Sequence, residues 1–133
     1  MQKSFTKALS LMLALHITFG LWGAFNVSYD TLTGKAYCPK LFNIPVCYLV
    51  SIGYLLMLLP QLFSSLNKNN KVFYSGWGLV FVIAIVGVSF ELTIGHVCPT
   101  SKKDIPLCYL SFAYCVLIMC VHWLRLRLKI CLD

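Results

Sequence analysis

Cys38-Pro39-Lys40-Leu41-Phe42-Asn43-Ile44-Pro45-Val46-Cys47-Tyr48 returns further along the chain as Cys98-Pro99 followed by Ile105-Pro106-Leu107-Cys108-Tyr109. In each copy a Cys-Pro opens a short polar loop, and an Ile-Pro-x-Cys-Tyr closes it and leads straight into a long apolar run. The second loop is one residue longer. The echo reaches back before the cysteines, where Val27-Ser28-Tyr29-Asp30 is answered by Val88-Ser89-Phe90-Glu91. Recurrence of this kind predicts an internal duplication, with one unit over about 5–66 and a second over about 70–128.

The runs that flank the loops decide the class. Of 133 residues, 59% are apolar and 11% charged, well outside the usual globular mix. Four apolar segments can be drawn: Ala8 to Asn26, Pro45 to Leu66, Val72 to Ile94 and Pro106 to Leu124. Each has close to the ~20 residues that a helix needs to cross ~30 Å of hydrocarbon. The expected fold is therefore all-α, a single four-helix transmembrane domain over residues 1–133. Its two repeated helical hairpins would be related by an axis along the membrane normal. The basic start at Lys3 and Lys7 also fits a secretory signal, yet the apolar run continues to Phe25 with no small-x-small cleavage pattern after it, so a retained helix is expected. A soluble catalytic domain has no room in this chain, and no nucleotide-binding loop or protease motif is present.

Charge sets the expected orientation. Lys3, Lys7, Lys68, Lys71, Arg125, Arg127 and Lys129 fall on the side shared by both termini and the middle turn, against Lys35, Lys40, Lys102 and Lys103 beside the cysteine loops. The positive-inside rule then places both termini in the cytoplasm of an inner or plasma membrane. Both cysteine loops lie outside, where thiols oxidise readily. The net charge of +7 is explained by basic flanks near anionic lipid. Its scatter over both sides gives nucleic-acid binding no support, so the expected partners are the bilayer and a membrane protein.

Inside the spans a few polar groups stand out as candidates for a proton or ligand site. His16 lies in the first apolar run, and Glu91 is the one acidic residue within any span; intramembrane ionisable groups are functional candidates by default. The structural alternative for His16 is a neutral ring bonded to a nearby hydroxyl or carbonyl, and for Glu91 an interfacial carboxylate. Gly20 and Gly23 allow close backbone approach to a neighbour. Cys47, Ser51, Tyr54 and Gln61 share one face of the second helix, and Cys108, Ser111, Cys115, Met119 and His122 one face of the fourth. Such stripes turn toward the bundle interior, more often as packing glue than as a cofactor site. Pro45 suits a first helical turn. Trp123 to Lys129 reads as a basic amphipathic end lying against the inner leaflet.

Seven cysteines divide into four in the loops and three elsewhere, Cys115, Cys120 and Cys131, which are expected to be reduced. Pairing Cys38 with Cys47 and Cys98 with Cys108 would close two short loops, each bond worth ~2 to 3 kcal/mol in the chain-entropy account. Pairing across the loops stays open, since four cysteines allow three connectivities. Cys47 and Cys108 start helices, where the macrodipole favours a thiolate. No metal site is expected. For haem the pair to consider is His16 with His122, whose depths differ by about 9 Å, an awkward offset for shared axial ligation.

Four helices with an outside cysteine pair in each of two loops resemble membrane thiol oxidoreductases of the DsbB and vitamin K epoxide reductase type in helix number, orientation and loop cysteines. The resemblance implies electron transfer from thiols to a quinone through Cys38, Cys47, Cys98 and Cys108, with Glu91 carrying protons. It covers topology and not motif, because that type carries a Cys-x-x-Cys pair and this chain has none. Two nearly identical cysteine settings suggest equivalent, structural jobs instead. The expectation is a membrane subunit or a scaffold for a small apolar ligand, stapled by two disulfides, with the quinone-linked oxidoreductase as the alternative.

Overall fold

Gly34 and Gly95, at φ 74° and 78°, mark where two long helices stop. A positive φ is open to glycine without steric penalty, and one such residue after a helix turns the chain away from its axis. In the computed structural model, which describes residues 1–63 and 70–132, the first of these helices is α1, Gln2–Leu32. It is followed by a hairpin of β1 (Lys40–Leu41) and β2 (Ile44–Pro45), α2 (Val46–Leu62), α3 (Lys71–Thr93) and α4 (Leu107–Leu132). The helices α1, α3 and α4 are long and apolar enough to cross a membrane.

The helix ends depart from the hydropathy reading at several places. Residues Val27 to Leu32, expected in a loop, continue α1. Ser28 and Thr31 turn their hydroxyls back onto the carbonyls of Ala24 and Val27, both at 2.8 Å, so polar side chains cap their own turn without breaking it. Lys35 N–H then donates to Asp30 O at 2.8 Å as the chain leaves the helix. By contrast, α2 has 17 residues, about 26 Å at 1.5 Å per residue, shorter than a full span. Pro60 sits in its last turn, and Phe63 is already extended at φ −107°, ψ 109°. The sequence expectations for Leu66, Lys68 and the turn around them lie outside the described residues. The basic end is no separate element, since Trp123 to Lys129 continue α4 without a break.

Four helices pack as a ring, α1 against α2 and α4, and α3 against α2 and α4. Small residues bring α2 and α3 together: a Cβ on Gly76 would fall 2.6 Å from the Gly53 carbonyl. The apolar core is Leu13, Ile17, Tyr54, Met57, Phe73, Val80, Cys115 and Ile118, drawn from every helix. Most of these positions lie in the half of the bundle farther from the cysteine loops. That half is solid, and the half beneath the loops is not.

Candidate functional site

Both loops are built to hold a cysteine over the end of the bundle. In the first, Leu41 pairs with Ile44 and Lys40 with Pro45, around Phe42 and Asn43 at φ 50° and 64°. Positive φ at both central residues is what a two-residue type I′ hairpin turn needs. Val46 N–H donates to Pro39 O at 3.0 Å, fixing the start of α2 beneath the Cys-Pro. In the second loop Thr100 bridges Pro106, and Leu107 N–H donates to Pro99 O at the same 3.0 Å.

Cys38 is bonded to Cys47 and Cys98 to Cys108, with Cα separations of 6.4 and 6.2 Å, within the range a disulfide spans. Cys38 and Cys98 are buried, at 3% and 6% exposure. The first pair is supported by Cys47 N–H donating to Cys38 Sγ at 3.1 Å. The second rests on α3, where a Cβ on Gly87 would lie 2.7 Å from Cys108 Sγ and 3.5 Å from Cys98 Sγ. Cys115 is free and buried, and Cys120 and Cys131 are free and exposed.

Beneath the loops lies a cavity of about 330 Å³. Its roof is Cys38, Pro39, Cys47, Pro99 and Cys108. Its walls come from all four helices, with Gly20, Gly23 and Ala24 on α1, Val50 and Tyr54 on α2, Val80 and Ala84 on α3, and Leu107, Ser111 and Tyr114 on α4. Among the described residues no charged one lines it, and its hydroxyl-bearing lining residues are Tyr54, Ser111 and Tyr114. Ligand sites are typically concave, mostly apolar and furnished with a few convergent polar groups.

The structure therefore brings together Cys38, Cys47, Cys108 and Tyr54 from the sequence candidates and leaves the others apart. Cys98 joins only through its bond to Cys108. Glu91 is occupied by the second loop: its Oε2 accepts from Val97 N at 2.9 Å and Cys98 N at 3.0 Å. Its side chain is 7% exposed, with His96 Nδ1 3.8 Å away and almost fully exposed. With His96 open to water and the contact at 3.8 Å, that pairing contributes little; the two amide bonds tie Glu91 to the cysteine backbone. His16 donates from Nδ1 to the Met12 carbonyl at 2.7 Å, one turn back on its own helix, and its ring lies 6.2 Å from that of Tyr114. His122 is 3% exposed, stacked on Phe73 at 4.2 Å with Tyr74 edge-on at 5.5 Å. Neither ring nitrogen of His122 has a hydrogen-bond partner among the described residues. Tyr114, the neighbour of His16, and His122 are eight positions apart on α4, about 12 Å of rise, so the two histidines sit at different levels. Among the described residues no group of three or more His, Cys, Asp or Glu side chains is placed to hold a metal ion.

Tyr114 is the member of the site that sequence reasoning missed. It falls three positions after Ser111, on the same helix face, and that spacing was the available signal. No family model, curated protein or solved structure matches this chain.

Proposed function

We propose that this chain is a small multi-pass membrane protein that holds an uncharged apolar ligand in the cavity beneath its two disulfide loops. The observation that carries the reading is the cavity itself: about 330 Å³, lined by no charged residue among those described and by three hydroxyl-bearing ones. In this reading α2 completes a fourth span, the two hairpins are repeats, and both loops face outside with both termini in the cytoplasm. The repeat is supported by matching detail: Gly34 and Gly95 end the preceding helices, and Pro39 and Pro99 accept equivalent bonds from Val46 and Leu107. The disulfides staple the roof, and a membrane partner can dock on the outside of the bundle.

Purified in mild detergent without reductant, the protein should yield an uncharged lipophilic molecule in organic extracts. Ala84→Leu, which fills the cavity from α3, should lower that yield. A wild-type protein that retains no such molecule and gains no thermal stability from any uncharged lipophile offered to it sinks the reading.

A second reading is favoured by the position of Cys47 and Cys108 on the cavity wall. A quinone held there could take two electrons and two protons from a reduced cysteine pair, forming one S–S bond and a quinol, with Glu91 as proton carrier. Thiols of a partner protein would reduce the pair again by exchange. Quinone-dependent oxidation of added thiols by the intact protein is the assay that distinguishes this enzyme from a binding scaffold.

A further inference from the structure

The wall of the cavity is closed unevenly. On the α2 and α3 sides it has no fully exposed lining residue among those described: Tyr54 and Ala84 are at 3% exposure and Val80 at 0%, and Val46, Val50 and Ile83 are half-buried. On the α1 and α4 sides Phe19 is 65% exposed and Leu110 43%, and Gly23 is exposed as well. A residue that faces both the cavity and the outer surface marks an opening. The roof is capped by the loops, with Cys38 buried and Pro39, Cys47, Pro99 and Cys108 half-buried, and the floor is shut by the core that includes Ile17 and Ile118. Among the described residues, the seam between α1 and α4 is therefore where the cavity reaches the surface.

The two glycines of α1 differ in what they do. A Cβ at Gly20 would fall 2.5 Å from the Tyr54 ring, so Gly20 is a close-packing residue. A Cβ at Gly23 would meet nothing within 4 Å. Gly23 therefore lines empty space. One turn below it, Phe19 crosses the seam and stacks on Tyr114, ring centroids 6.1 Å apart.

We propose that the cavity is loaded sideways, through a port between α1 and α4 at Gly23, by an uncharged amphiphile dissolved in the bilayer. Its hydrogen-bonding head, a hydroxyl or carbonyl, reaches Tyr54, Ser111 and Tyr114, and its hydrocarbon tail stays outside among the lipid chains. This rests on the ligand-site reading above. A wall without counter-charge rejects a carboxylate or phosphate head, because burying an unpaired ion is far more costly than burying a hydroxyl that finds a partner. A cavity near the small end of the ligand-site range takes a compact head and leaves the tail in lipid.

The test uses the full chain in phosphatidylcholine vesicles, mixed for timed intervals with vesicles carrying a long-chain fatty alcohol that bears a diazirine beside its hydroxyl. Flash photolysis and mass spectrometry then map the insertion sites. Insertion is expected at Tyr54, Ser111 or Tyr114. Gly23→Leu should slow it roughly tenfold, the effect of about 1.4 kcal/mol on a barrier, and Phe19→Ala should speed it. Equal rates in all three proteins would overturn the port while leaving the site in place. A lower final extent in Gly23→Leu at unchanged rate would confine the role of position 23 to the cavity wall and also overturn the port. Equally strong interior labelling by the corresponding fatty acid in its ionised form would overturn the uncharged head. Absence of interior insertion in every protein, the widened Phe19→Ala included, would remove the ligand site on which the proposal rests.

Discussion

A methyl group added at Gly87 and one added at Gly23 meet opposite surroundings. At Gly87 it would press on Cys108 Sγ at 2.7 Å and Cys108 Cβ at 3.3 Å, atoms fixed by the disulfide and the start of α4, which cannot swing aside as a flexible side-chain tip would. Gly87→Ala should therefore destabilise by ~1 to 3 kcal/mol, the usual range for overpacking. Gly23→Ala meets open space and should be neutral or stabilising by up to ~1 kcal/mol through helix propensity. Thermal unfolding followed by circular dichroism in detergent compares them directly, and equal melting temperatures would mean that α3 yields to the disulfide. Residue chemistry was only partly legible in the sequence. Glu91 stood out as an acidic group in an apolar run, but its attachment to the Val97 and Cys98 amides depends on the turn at Gly95, which periodicity does not describe. His16 was legible in both its readings, and the structure adds its bond to Met12 O one turn back.

The cysteine loops are the elements that the sequence specified best, because Cys-Pro and Ile-Pro-x-Cys fix local backbone on either side of a short closure. Helix lengths were less legible: hydropathy registers where hydrocarbon ends, whereas α1 ends where Gly34 reverses the chain, six residues beyond Asn26 by its last helical residue Leu32. Each disulfide joins a loop cysteine, six residues past the end of α1 or five past the end of α3, to the first turn of the next helix, with sequence separations of 9 and 10. Opening either bond releases a loop of nearly the same length, so Cys47→Ser and Cys108→Ser should each lower stability by ~2 to 3 kcal/mol. The double substitution should be close to additive as far as the loops act independently. The second loop keeps a further tie through Glu91, so residual order after reduction should persist there longer than in the first. Hydrogen exchange of the loop amides with and without reductant measures this. Loss of quinone-dependent thiol oxidation in either single variant, with stability little changed, would instead identify the pairs as catalytic.

At the scale of the molecule, the division into a solid half and a hollow half could not be read from composition, which does not say where side chains leave space. It arises from where small residues fall: Gly20, Gly23 and Ala24 on α1 face Ala84 across the space, while Leu13, Ile17, Met57 and Phe73 fill the other half. The hollow half adjoins the loops, so the orientation of the chain decides which side of the membrane the disulfides and the cavity roof are on. Native cysteines already supply one marker, because Cys131 is free and exposed near the end of α4, whereas the four loop cysteines are held in disulfides. Cys120 is free and exposed as well, but it sits mid-helix in an apolar stretch where a water-borne reagent does not reach. Lys103→Cys places a second marker at an exposed position in the second loop. With both termini in the cytoplasm, a membrane-impermeant maleimide applied to intact cells without reductant should label position 103 at once and Cys131 only after permeabilisation. The seven basic residues expected on the terminal side against four beside the loops predict that order through the positive-inside rule. Labelling of Cys131 from outside, with position 103 protected until the cells are opened, would invert the molecule and put its disulfides in a reducing compartment, where they would not persist.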